Sequence, residues 1–179
     1  RFDQRGDRIV KRLVYLLYIL AVLIVLIPKE KLYYTMERSL EPYHLYFANE
    51  TLNNRFFYFD ADGVSVILDH SAIATIERIR IAPWIVSNRL VFSSIEVSPE
   101  YKLFFPGKID EIEFVYSLIH PLSIRIEGRG EFGECHGIID PIKGKIRLEF
   151  DRTAQLRAYA VLVSKLRAEK EKLVYESDF

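Results

Sequence analysis

Leu122-Ser123-Ile124-Arg125-Ile126-Glu127-Gly128 is the stretch that decides the fold. An extended chain sends successive side chains to opposite faces, so this alternation gives one apolar and one polar face. Ile146-Arg147-Leu148-Glu149-Phe150 repeats the scheme, and Gly128, Gly130, Gly133, Gly137 and Gly144 punctuate the segment between. Glycines so placed mark tight turns or bulges. Half-buried strands joined by short turns imply an antiparallel sheet with one face on a core.

The same period of two extends toward the N-terminus. Ile112, Phe114 and Tyr116 alternate with Glu111 and Glu113; Leu90 and Phe92 flank Val91 and follow Arg89; Ile79 and Ile81 alternate with Arg78 and Arg80. Tyr43, Leu45 and Phe47 alternate with His44 and Tyr46, and Arg55 to Asp60 reads as an aromatic strand. Asp60-Ala61-Asp62-Gly63 has turn composition, leading into a strand from Gly63 to Leu68 and so a hairpin. Residues 43–152 are thus expected to form one β-rich domain, within the size of a single folding unit. The 12 Phe and 11 Tyr residues suit strands and supply bulk for its interior.

In front of this domain lies an apolar run, Ile9 to Ile27, interrupted only by Lys11 and Arg12 and by the hydroxyls of Tyr15 and Tyr18. At about 1.5 Å per helical residue it would span roughly 28 Å, close to a bilayer's hydrocarbon core, with Lys11 and Arg12 snorkelling to the interface. Arg1, Arg5, Arg8, Lys11 and Arg12 outweigh Asp3 and Asp7, so residues 1–8 are expected in the cytoplasm and the rest of the chain beyond the membrane. A cleaved signal peptide would end in small residues, whereas this run ends Leu26-Ile27-Pro28-Lys29. The run therefore reads as a retained single-pass anchor over 9–27.

Residues 28–42 read as a juxtamembrane helix on which Leu32, Met36 and Leu40 recur every fourth position, stopped by Pro42. Tyr33 and Tyr34 fall where aromatic rings with polar tips favour the membrane interface, or the edge of the core. At the other end, residues 153–179 read as an amphipathic helix reaching about Tyr175, with Thr153 as N-cap and no internal Gly or Pro. Its stripe of Leu156, Tyr159, Val163, Leu166 and Leu173 would pack in its first half on the domain's own sheet or else on a partner helix, and the second half would project. The charged tract Arg167 to Lys172 is expected to project.

Charge and cysteine content narrow the function. The 25 basic and 25 acidic side chains are interleaved without a dense basic patch, so nucleic acid is not an expected partner. One cysteine excludes an internal disulfide. Gly128-Arg-Gly-Glu-Phe-Gly133 matches a dinucleotide-binding string, but that string needs a helix opening within it, and Gly137 and Pro141 would break one. Cys135 beside His136 lacks further zinc ligands at suitable spacing, because His44, His70 and His120 are scattered singly. A small buried thiol beside a surface histidine in a hairpin is the simpler reading. Asp60 and Asp62 could form a carboxylate pair, but a turn selects the same residues. Asn49-Glu50-Thr51 fits a glycosylation acceptor, which carries meaning only in a eukaryotic secretory setting. No catalytic, cofactor-binding or metal-ligating set emerges.

The order of these features, one anchor, a Pro28-Lys-Glu-Lys-Leu32 exit and then strand upon strand to the glycine-linked pair at 122–133 and 137–150, resembles the GspN-type proteins of bacterial type II secretion systems and the related AsmA-like envelope proteins. The resemblance covers about Ile24 to Phe150 and excludes the segment from Thr153. It implies a bacterial inner-membrane protein with a periplasmic β-rich domain, no cofactor and no catalytic residues. The function expected is that of a non-enzymatic scaffold subunit of an envelope-spanning machine, of secretion, pilus or flagellar-motor type. Its partners would be other subunits of a membrane complex, with lipid met through the anchor and homo-oligomerisation left open. The alternative is a lipid-handling module whose apolar sheet face holds an acyl chain.

Overall fold

The computed structural model describes residues 28–84, 86–102 and 105–178. One antiparallel sheet of eleven strands dominates it. Helix α1 (Lys29–Leu40) and a 3-10 turn (Glu41–Tyr43) precede β1 (Leu45–Ala48), β2 (Thr51–Asn54), β3 (Phe59–Leu68), β4 (Ser71–Pro83), β5 (Ser87–Val97), β6 (Lys108–Ser117), β7 (His120–Gly130), β8 (Gly133–Asp140) and β9 (Lys145–Asp151). Two short helices, α2 (Ala154–Arg157) and α3 (Ala160–Ser164), lead into β10 (Arg167–Glu169) and β11 (Lys172–Asp178). From β3 to β9 each strand pairs with the next; β1 and β2 both pair with β3, and β11 closes onto β9 with β10 outside it.

Because the strands meander, their turns alternate between two ends. The loops at 55–58, 118–119 and 141–144, with Trp84 and Val86, lie at one end, which we call the Trp84 end. Those at 69–70, 98–102 with 105–107, and 131–132, together with α2 and α3, lie at the other, the His70 end. Helix α1 runs from the first end toward the second. Its Tyr33 packs on Phe59, the first residue of β3, whereas the chain leaving it enters β1 at Leu45, opposite Leu68 at the end of β3.

The alternation read from the sequence holds across the sheet, and its apolar face carries two cores. Tyr33, Phe59, Ala61, Val64, Ile76, Ile79 and Ile81 are buried beneath α1; Phe132, Cys135, Phe150 and Leu156 are buried beneath α2 and α3. Between them Leu90, Phe92, Ile112 and Phe114 are only half-buried, with Phe92 and Phe114 edge to face at 6.0 Å. Within β4, Ile76 and Ile79 are both buried although three positions apart. The pairing explains this: the ladder skips Gly63, Glu77 and Ser94, and Gly63 and Ser94 take φ of 72° and 51°. That crease resets the alternation, so apolar side chains on both sides of it reach the same core.

Several expectations need correction. Asp60-Ala61-Asp62-Gly63 is no turn but part of β3; each of Asp60, Ala61 and Asp62 pairs across to β4, and only Gly63 takes the left-handed conformation. The aromatic segment at 55–58 is instead the loop that carries exposed Phe56 and Phe57. Tyr43 lies in the 3-10 turn, not in a strand. The long helix from Thr153 to Tyr175 is absent: after α3 the chain becomes a β-hairpin, so the sheet runs past 152 to Asp178. β-pairing with Ile146–Phe150 gives Leu173 and Tyr175 an apolar surface that an isolated helix would lack. Thr153 does cap α2, its hydroxyl accepting the Leu156 N–H at 3.1 Å. Among the described residues no helix is long and apolar enough to cross a membrane; the expected span 9–27, with Lys11 and Arg12, lies outside them.

Candidate functional site

The polar face of the sheet carries charge in cross-strand rows. One row reads Asp60, Arg80, Val91, Glu113, Glu127, His136 and Glu149 from β3 to β9; beside it runs Asp62, Arg78, Ser93, Glu111, Arg129 and Glu134. These are the polar positions of the alternation. Directly opposed side chains in antiparallel strands lie close enough to pair, and here they do so. Arg80 grips Asp60 through two bonds of 2.8 and 2.9 Å, Arg78 meets Asp62 at 2.7 Å and Arg129 meets Glu111 at 3.3 Å, while Arg89, opposite Val115, reaches diagonally to Glu113 at 3.4 Å. The carboxylates of Asp62 and Asp60 hold the Arg78 and Arg80 guanidiniums above their ordinary range, each through its hydrogen bond first.

An open trough of about 760 Å³ lies over this face between β4 and β6. Arg78, Arg80, Arg89, Glu111 and Glu113 form its floor, and Phe57, Tyr58 and Trp84 form its lip at the Trp84 end. The lip is ordered by packing: Phe57 and Trp84 stack at 5.6 Å with their planes 6° apart, and the Arg80 guanidinium sits 4.3 Å over the Tyr58 ring. A second cluster centres on Arg147, which bonds Glu149 at 3.0 Å, Glu169 at 2.8 Å and also Glu176, while Lys172 reaches Glu149 at 3.2 Å. These bonds tie β9, β10 and β11 together. They push the Arg147 guanidinium further up and the Glu149 carboxyl down, with Arg147 the first cause of the latter.

The C-terminal stripe packs within the chain's own fold, the first of the two readings open to it. Leu156 is fully buried, and Tyr159, Val163, Leu166 and Leu173 pack around it. Tyr159 also donates its hydroxyl to Glu131 at 2.9 Å, a bond that lowers the Glu131 carboxyl and, after burial, raises the Tyr159 phenol. A stripe read at helical spacing is thus divided between two helices and a strand that converge on one core. Tyr33, expected at an interface, is the centre of the other core; Tyr34 faces outward, and Leu32 is exposed rather than packed. Cys135 is buried beside exposed His136, and burial pushes its thiol up to about 11, against the nucleophile reading.

Gly128-x-Gly130-x-x-Gly133 proves to be a packing device. It forms the β7–β8 hairpin, and the ring of Phe132 at its tip folds back over Gly128 and Gly130. Among the described residues no group of three His, Cys, Asp or Glu side chains could hold a metal ion. The charged rows were legible as the polar half of each strand. What the sequence alone does not show is the register that pairs Asp60 with Arg80, because Asp60-Ala61-Asp62-Gly63 has the composition of a turn. Comparison with known proteins finds no family model, curated protein or solved structure that matches the chain.

Proposed function

We propose that this chain is a non-enzymatic, single-pass scaffold subunit of an envelope-spanning bacterial machine, of secretion, pilus or flagellar-motor type, that works through protein contacts. Residues 9–27 would anchor it in the inner membrane, with the N-terminus cytoplasmic and the sheet periplasmic. The observation that carries the reading is the chemistry of the polar face. Arg78, Arg80 and Arg129 are held in ion pairs to directly opposed carboxylates, and a guanidinium held in its charged form does not exchange protons near neutral pH. Such a face offers a rigid pattern of charges, which suits recognition of a complementary protein surface. The strands at the two edges, β1, β2 and β10, have four, four and three residues, so sheet extension by a neighbour has little to grip and the broad face is the better contact.

A second reading, lipid handling, draws on the half-buried strip of Leu90, Phe92, Ile112 and Phe114 between the two helical caps. An acyl chain lying there would meet a continuous apolar surface.

Affinity purification of the tagged full-length protein in mild detergent, with mass spectrometry of co-purifying proteins and lipids, separates the two. The scaffold reading expects stoichiometric membrane-complex subunits, lost when Arg89→Glu and Glu113→Arg are introduced singly. Enriched lipid without partner proteins would replace it with the lipid-handling reading.

A further inference from the structure

We propose that the hairpin tips at the Trp84 end dip into the outer leaflet of the bilayer in which residues 9–27 are anchored, so that the sheet stands on the membrane. The inference rests on the anchored reading above and adds a second membrane contact to it.

The first observation is where the exposed apolar side chains lie. Phe56 and Ile142 are 70 % exposed, Ile119 73 %, Leu118 55 %, Phe57 51 % and Trp84 46 %. All six lie at the Trp84 end, although they come from sequence positions more than 80 residues apart. At the His70 end the turns carry Asp69, His70, Glu131, Lys170 and Glu171, and Phe132 is folded into the core. Tyr43, Phe105 and Val161 are exposed there, one to an element. Monomeric surfaces seldom gather large apolar side chains along one rim, and such a rim marks a docking surface.

The second observation says what it docks on. Helix α1 enters from the Trp84 side: Tyr33 lies between Phe59, the first residue of β3, and Phe47 on β1, and the chain leaving the helix enters β1 at Leu45, opposite Leu68. The described chain therefore begins, at Pro28, on the side where the apolar tips point. A bilayer entered by the apolar run before Pro28 would face those tips directly. Trp84 stacked on Phe57 is the ring type favoured at the headgroup level, and Arg55 beside them can reach phosphate while its neighbours enter the acyl region.

The sole tryptophan makes the test direct. The full chain is reconstituted into phosphatidylcholine–phosphatidylglycerol vesicles, with and without lipids brominated in the upper acyl chain, and flotation after carbonate washing reports the anchor. Trp84 emission is expected to fall at least about twofold with brominated lipid, as for a ring at the interface. In Trp84→Phe with Tyr101→Trp, which moves the reporter to the His70 end, quenching should disappear. Ile119→Asp with Ile142→Asp should weaken Trp84 quenching while leaving the fold intact. A chain that floats while Trp84 is unquenched overturns the rim contact and leaves the anchor standing, whether Trp84 is open to acrylamide or shielded by protein. Equal quenching of both reporters overturns the upright orientation, and failure to float overturns anchor and rim together.

Discussion

Arg80 on β4 holds Asp60 on β3 in a fork of 2.8 and 2.9 Å while its guanidinium lies over the ring of Tyr58. Asp60 is 7 % exposed, so its charge depends on that fork. Removing Arg80 leaves a buried carboxylate with Arg78 at 3.9 Å as its remaining cation. Arg80→Ala should cost about 2–3 kcal/mol in denaturant unfolding. Arg78→Ala should cost under about 1 kcal/mol, because Arg78 and Asp62 are 45 % and 32 % exposed and water screens their pair. Equal costs would show that burial of Asp60 is not what makes the fork matter.

Tyr33 offers a test of polar burial. Its ring lies 5.6 Å from Phe59 and 6.0 Å from Phe47, yet its hydroxyl is buried without a hydrogen-bond partner among the described residues. The Glu50 carboxylate faces it without the alignment of a bond; burial first, then Glu50, raises the phenol. Tyr33→Phe should therefore be neutral or stabilising by up to about 1 kcal/mol, whereas Tyr33→Ala should cost about 3–5 kcal/mol. A loss of stability in Tyr33→Phe would reveal a partner for the hydroxyl.

Leu156 connects the C-terminal helices to Phe132, Cys135 and Phe150. Leu156→Ala should destabilise the protein by about 2–5 kcal/mol. Because Tyr159 is tied to Glu131, Tyr159→Phe should cost about 1 kcal/mol. If Leu156→Asp leaves thermal unfolding unchanged, the segment is not part of this core.

Cys135 should be inert while the protein is folded. With its thiol pushed up to about 11 by burial, it holds roughly one thiolate per thousand molecules at pH 8. Alkylation by iodoacetamide should be at least about a hundredfold slower than in guanidinium, where the thiol titrates near 8.5. The sign of the linkage follows: the thiol is neutral in both states below the unfolded value, so its contribution is complete there and is lost as pH rises from about 9 toward 11. Tyr33, also raised, adds loss in the same direction at higher pH. Stability that holds constant between pH 8 and 11 would contradict both assignments.

Gly130 is needed for close approach. A Cβ there would sit 2.8 Å from Ile109 Cα and 2.9 Å from Lys108 O, both backbone atoms that move only with their strand. Gly130→Ala should cost about 2–3 kcal/mol. At Gly63 nothing lies within 4 Å, so Gly63→Ala carries only the strain of φ 72°, about 1 kcal/mol. Urea unfolding of the two variants distinguishes crowding from backbone conformation.

The sheet was legible because each strand announces itself locally. Ile79 and Ile81 against Arg78 and Arg80, or Leu148 and Phe150 against Arg147 and Glu149, fix which side faces the core whatever the neighbours are. The candidate site was legible only in outline. Reading Asp60 to Gly63 as a turn followed sound composition, but a turn residue also tolerates a crease, and the apolar partners Ile79 and Ile81 on β4 pull Phe59 and Ala61 into a strand. The C-terminal stripe failed for a related reason. Spacing of three and four fits a helix, yet Leu173 gains more by lying opposite Phe150, a contact no local window contains.

By itself the sequence determined the alternation, the antiparallel class and the apolar run before Pro28, because these depend on side-chain type and spacing along a few residues, whereas Gly128, Gly130 and Gly137, expected at turns or bulges, lie within β7 and β8. Only the tertiary structure decided the strand order and register, and with them the pairing of Asp60 with Arg80, the burial of Tyr33 and Leu156, and the gathering of Phe56, Trp84, Ile119 and Ile142 at one end. Asp60 and Arg80 are 20 positions apart and Phe56 and Ile142 are 86, and the energy of such relations comes from packing and ion pairing that exist only after the chain has closed on itself.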